Sequence, residues 1–174
     1  MVMIDIVALT QLKAFARQDG ALLALLWLAS FACYVMAPES IFGSLFALGT
    51  PFLVSWRLKL FRDGALDGTI SFRRALGYSL YCFFYASLLF AAAQFIYFRF
   101  LDHGVFFGNI TTALQAIEPI YQQNGVDTTA LHSSLSALMA LSPIELSFLF
   151  MMQNFIVGGL LSPLIAAVGK RRQA

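Results

Sequence analysis

The sequence predicts an all-α fold, an integral membrane four-helix bundle, and three observations predict it. Hydrophobic residues make up 60% of the chain and charged residues 11%, whereas a soluble domain carries about 25% charged residues. A chain this short could not hide so much apolar surface from water. Four apolar runs, at residues 21–37, 41–56, 76–98 and 144–168, have lengths close to the roughly 20 residues that a helix needs to cross a hydrocarbon core. Of the eleven basic residues, all but Arg99 fall on one side of the map these runs generate. The length suits a single membrane domain, residues 1–174.

In the first segment, residues 2–18, Met3, Ile6, Val7, Thr10, Lys13 and Ala14 repeat at helical spacing. It reads as a short N-terminal amphipathic helix on the inner leaflet or a cytoplasmic extension of span one; a helix that binds a partner is the sharper alternative. Val35-Met36-Ala37 has the small-residue spacing of a signal cleavage site, but Asp5, Asp19, the long apolar run and Pro38 argue for an uncleaved span. Pro38, Glu39 and Ser40 alone separate spans one and two, so these form a tight helical hairpin. Beyond Arg57, Gly64 and Gly68 allow the chain to reverse through positive φ, and Ser71 is placed to cap span three. Arg73 and Arg74 oppose that helix's dipole, a cost that anionic lipid head groups can offset.

The outer segment, residues 102–142, is too long to lack structure. Ile110, Leu114, Ile117 and Tyr121 share one helical face, and Leu131, Leu135, Leu138 and Met139 share another after an Asn124-Gly125 turn. Two amphipathic helices on the outer face are expected, the second capped by Asp127 or Thr128. The Asn109-Ile110-Thr111 sequon is a triplet common by chance. In span four, Ser142-Pro143 opens the helix and Glu145 complements its N-terminal dipole. Gly158 with Ser162, and Gly43 with Ala47 in span two, are small-residue pairs that mark packing faces, while Pro51 and Pro163 each remove an internal bond and bend their helices. Cys33 and Cys82 lie at depths about 10 Å apart and cannot form a disulfide.

Lys13, Arg17, Arg57, Lys59, Arg62, Arg73, Arg74, Lys170, Arg171 and Arg172 crowd one face; Glu39, Asp102, Glu118, Asp127 and Glu145 occupy the other. Cations mark the cytoplasmic side, which puts both termini there and the protein in a bacterial inner membrane. A net charge of +2 without a basic stripe excludes nucleic acid as a partner.

The loop between spans two and three carries Arg62-Asp63-Gly64, Asp67-Gly68-Thr69-Ile70-Ser71-Phe72 and Arg73-Arg74-Ala75. With the long outer segment and the Gly-rich last helix ending in basic residues, it resembles domain-of-unknown-function family 4199, small four-helix inner-membrane proteins found mostly in Bacteroidota. The resemblance covers most of the chain and implies location and topology, but no activity and no catalytic residues.

The sequence holds no phosphate-binding loop, HExxH, CxxC or nucleophile elbow, so no catalytic, cofactor-binding or metal residue is nominated and no cofactor is expected. His103 and His132 stand singly, and Asp102-His103 falls short of the three or four ligands zinc takes. No ionisable residue lies near a span centre; the intramembrane polar groups are Gln153 and Asn154 in mid-span four and Gln94 toward the outer end of span three. Helix–helix glue is the plainer role for these amides, solute binding the sharper one. The expectation is a non-catalytic scaffold or subunit for a membrane-associated partner, such as a lipid-linked glycosyltransferase. The alternative is a small oligomeric transporter or channel for an uncharged or small solute. A lipid enzyme using His103, Asp102 or Glu118 ranks third. The bilayer, a membrane protein or a second copy of the chain are the expected partners.

Overall fold

A computed structural model describes residues 6–123 and 127–171; Met3, Asp5, the Asn124-Gly125 turn and Arg172 lie outside the described residues. The chain is all-α: α1 (Ile6–Met36), α2 (Phe42–Leu48), α3 (Thr50–Ala65), α4 (Phe72–Ile96), α5 (Val105–Gln123), α6 (Thr129–Met139) and α7 (Pro143–Gly169). A π-helical turn, Tyr97–Leu101, extends α4. Among the described residues, three helices are long and apolar enough to cross a membrane: Ile6–Met36, Phe72–Leu101 and Pro143–Gly169.

The run at residues 41–56 is not one helix. It divides into α2 and α3 at Gly49, and Pro51, which has no N–H to donate, occupies the first turn of α3. The separate N-terminal helix is also corrected. α1 continues unbroken through residues 6–36, because its early apolar residues stay in phase with the span and have a surface to cover. Leu12 and Ala16 are buried, and the Phe15 ring lies 4.9 Å from that of Phe61.

α4 is the central helix and packs against both α1 and α7. Glycines set the closest approaches. A Cβ on Gly20 would stand 2.8 Å from the Cys82 carbonyl oxygen of α4, and one on Gly158 would stand 2.3 Å from Phe83 Cγ. The Gly158–Ser162 pair therefore seats α7 on α4 within one chain, with the buried Ser162 hydroxyl donating to the Gly158 carbonyl at 2.7 Å. Gly43 in turn receives Tyr34 across the α1–α2 hairpin.

Helix ends follow the sequence closely. Ser71 Oγ accepts from the Arg74 amide at the start of α4. Ser142 and Glu145 form a reciprocal capping box on α7. The Thr129 amide donates to Asp127 Oδ1 at 2.8 Å, so Asp127, not Thr128, serves α6. The turn before α4 uses positive φ at Asp67 and Gly68, whereas Gly64 stays helical inside α3. After α7 the chain pairs back onto this turn: Ile70 and Arg171 exchange backbone hydrogen bonds of 2.9 and 3.0 Å. Arg62 reinforces the junction by donating to the Gly169 carbonyl. Cys33 and Cys82 are both free thiols.

Candidate functional site

Two polar assemblies lie among the long helices, one toward the end that carries most of the cations and one toward the other. At the basic end, Asp19 of α1 is buried, with 2% exposure. Its Oδ1 accepts from Arg57 Nε of α3 at 2.6 Å, and its Oδ2 accepts from the Tyr78 hydroxyl of α4. Tyr78 is stacked on Phe61, and Arg57 also lies 5.8 Å from the Trp56 ring. A buried carboxylate requires a cation and full hydrogen bonding to be tolerated; Asp19 has both, supplied by two other helices.

Sequence reading missed this cluster, although a signal was present. Asp19 and Arg57 are each nineteen residues from Pro38 (38 − 19 and 57 − 38), so folding the hairpin at that proline brings them level. The span limits at 21 and 56 left both outside the apolar runs, yet they meet Tyr78, which lies within residues 76–98. An ionisable pair is thus seated between the helices, thirteen residues into α1 (19 − 6) and eight from the end of α3 (65 − 57).

Further along, α1, α2, α3, α4 and α7, with Phe106 of α5, line a cavity of about 460 Å³, a volume typical of small-molecule sites. Gln94, Gln153 and Asn154, the three amides singled out in the sequence, all line it. Trp27, Phe83 and Phe90 form an aromatic wall, with Trp27 and Phe83 stacked at 6.3 Å. Trp27 Nε1 donates to Thr50 Oγ1 at 2.9 Å, and Ser30 Oγ donates to the Gly43 carbonyl at 2.7 Å. Gln94 is only 3% exposed and makes no hydrogen bond with another described residue; its Oε1 is fully buried without a partner. Among the described residues, none that lines the cavity is charged.

The outer residues are held in structural roles. Asp102 Oδ1 accepts from the Phe106 amide and the Tyr97 hydroxyl, which starts α5 and closes the π turn. His103 Nδ1 lies 2.9 Å from the Leu101 carbonyl. Glu118 accepts from Thr128 and faces His132 Nε2 at 3.2 Å, tying α5 to α6. Thirteen residues of helix separate Val105 from Glu118, about 20 Å, so Asp102 and His103 do not join Glu118 in one site. Among the described residues, no group of three or more His, Cys, Asp and Glu side chains comes together. Asn109, from the sequon, donates to the Tyr34 and Val35 carbonyls at 3.2 and 3.0 Å and so closes the end of α1. Beyond the basic ends of the spans, the hydrogen bond from Arg62 holds the exposed Asp63 carboxyl below the usual aspartate range.

The fold and the cavity define the class first: an all-α protein built on long apolar helices of membrane-spanning character, with a polar pocket between them. The chain belongs to the family described as protein of unknown function (DUF4199), whose profile matches residues 18–171. The match takes in both Asp19 and every cavity-lining residue. Comparison with curated proteins and with solved structures returned no match.

Proposed function

We propose that this is a bacterial inner-membrane protein that crosses the bilayer four times, with both termini in the cytoplasm. It works by binding, not by catalysis, and holds an uncharged molecule in the cavity between its helices. In this reading α2 and α3 together make the fourth crossing, and the cation-rich end faces the cytoplasm. The observation that carries the reading is the convergence of Gln94, Gln153 and Asn154 on one aromatic-walled cavity without charge. Amides used only as glue would be expected to bond one another across helices, and none of these three does so among the described residues. Reporter fusions at the tail and in the α5–α6 segment test the topology. Thermal shifts with a panel of uncharged compounds, water-soluble and lipid-soluble, test the binding. Some member should stabilise the wild-type protein and not the Gln153→Leu/Asn154→Leu variant; a panel without such a compound removes the reading.

A second reading, a scaffold or subunit for a membrane partner such as a lipid-linked glycosyltransferase, is favoured by α5 and α6. Their apolar residues Ile117, Tyr121, Leu131 and Met139 remain 38–55% exposed. Copurification in mild detergent, with and without Leu131→Glu, separates it from the first.

A further inference from the structure

The cavity's exits identify where its occupant comes from. Toward the acidic end it is closed by rings: Phe106 of α5 lies 5.8 Å from Phe31 and 6.0 Å from Phe150. Toward the basic end, Trp27 on Phe83, with Gly158 seated against that same Phe83, closes the floor. Of the lining residues that remain exposed, Tyr34 of α1 is held against the α1–α2 hairpin by its hydroxyl's contact with Ser44, and the rest lie on α2 and α7. Leu48 is 66% and Val157 49% exposed, and Ala47 and Gln153 are exposed beside them. Leu48 closes α2, six residues in from Phe42, and Val157 is at the middle of α7 (Pro143–Gly169). The opening therefore faces sideways within the apolar length of the helices, where hydrocarbon and not water would meet it.

We infer that the cavity takes a neutral molecule dissolved in the bilayer, a chain carrying a hydroxyl, which enters between α2 and α7. This rests on the binding reading above and specifies the ligand and its route. The chemistry follows from Gln94. A buried amide without partners costs free energy, and a half turn about its last torsion presents either its donor or its acceptor. A hydroxyl both donates and accepts, so it satisfies the amide while its chain covers the aromatic wall. In a bilayer such a hydroxyl otherwise stays at head-group level, so at the depth of the cavity the amide is what gives it a partner.

Trp27 is a reporter inside the cavity, and Trp56→Phe removes the chain's other tryptophan, which is 56% exposed. Trp56→Phe protein in lipid vesicles is titrated with a dibrominated long-chain alcohol, then with the alkane of the same length and bromine content. The alcohol should quench Trp27 saturably, with a half-point at least tenfold lower in mole fraction than the alkane's. Gln94→Leu should abolish that difference, and Ala47→Phe, a change at an exposed position of the mouth, should raise the alcohol's half-point about tenfold. Alcohol and alkane quenching alike, in linear proportion to mole fraction, would overturn the inference. Acrylamide, an uncharged amide added from water, separates the two levels. If it quenches Trp27 and Asn154→Leu suppresses the effect, the cavity binds from the aqueous phase: the bilayer route fails and the binding reading stands. If neither probe is selective, both fall.

Discussion

The two ends of the helix assembly are built on opposite terms, although α1 and α4 run through both. At the basic end Gly20 lets the backbones of α1 and α4 touch, and Gly169 lies against Leu58. Asp19 has its ion pair and its hydroxyl there. Toward the acidic end a cavity of about 460 Å³ opens between the helices, and the Gln94 side chain has no partner among the described residues. The basic end joins its helices through a charged cluster; the other joins α1 to α2 and α3 through Trp27–Thr50 and Ser30–Gly43 but leaves its amides unbonded beside a space. A molecule that must stay folded while accepting a ligand benefits from this division, since the ligand's space is confined to the end that is not bolted.

The sharpest way to break the comparison is at the bolt. Arg57→Leu leaves the Asp19 carboxylate buried and unpaired, and should destabilise by about 3–5 kcal/mol, measured by thermal or denaturant unfolding in mild detergent. Adding Asp19→Asn should recover most of that loss. A single variant as stable as wild type would show that the pair is not needed. Next in size, Gly158→Ala puts a methyl group into Phe83 and should cost about 1–3 kcal/mol, relieved by Phe83→Leu in the same assay. Gln94→Leu at the open end should change stability by less than about 1 kcal/mol, or raise it, because it removes a buried amide that nothing satisfies. A loss above 2 kcal/mol on this scale would make Gln94 a structural residue and erase the contrast.

The smallest effect lies outside the spans. Asp63 is bonded to Arg62, so its folded pKa is lower than the unfolded value of about 3.9. Its contribution is present above that unfolded value and is lost as pH falls through the folded pKa. The carboxyl titration, followed by NMR, should move upward in Arg62→Gln; the exposed Asp63 itself contributes little to unfolding, and any larger loss belongs to the bond from the buried Arg62 to the Gly169 carbonyl.

Much of this was readable in the chain. Long apolar runs at 76–98 and 144–168 became α4 and α7, and Ser71 and the Ser142–Glu145 pair cap them because capping depends on residues three apart. The three cavity amides were visible as polar residues in apolar runs. Their convergence was not, since it requires the rotation of α4 and α7 about their axes. The Asp19 cluster was hidden for a similar reason: its partners are 38 and 59 residues away. The division of α2 from α3 was signalled by Pro51, but the break falls two residues earlier, at Gly49.

The backbone pairing of Ile70 with Arg171 fixes a parity. Two residues joined by hydrogen bonds cannot lie in different compartments, so the chain between them must traverse the bilayer an even number of times, whatever its orientation. α4 and α7, both long and apolar enough to cross, satisfy that parity as a pair, and it forbids α5 or α6 from adding a single passage by itself.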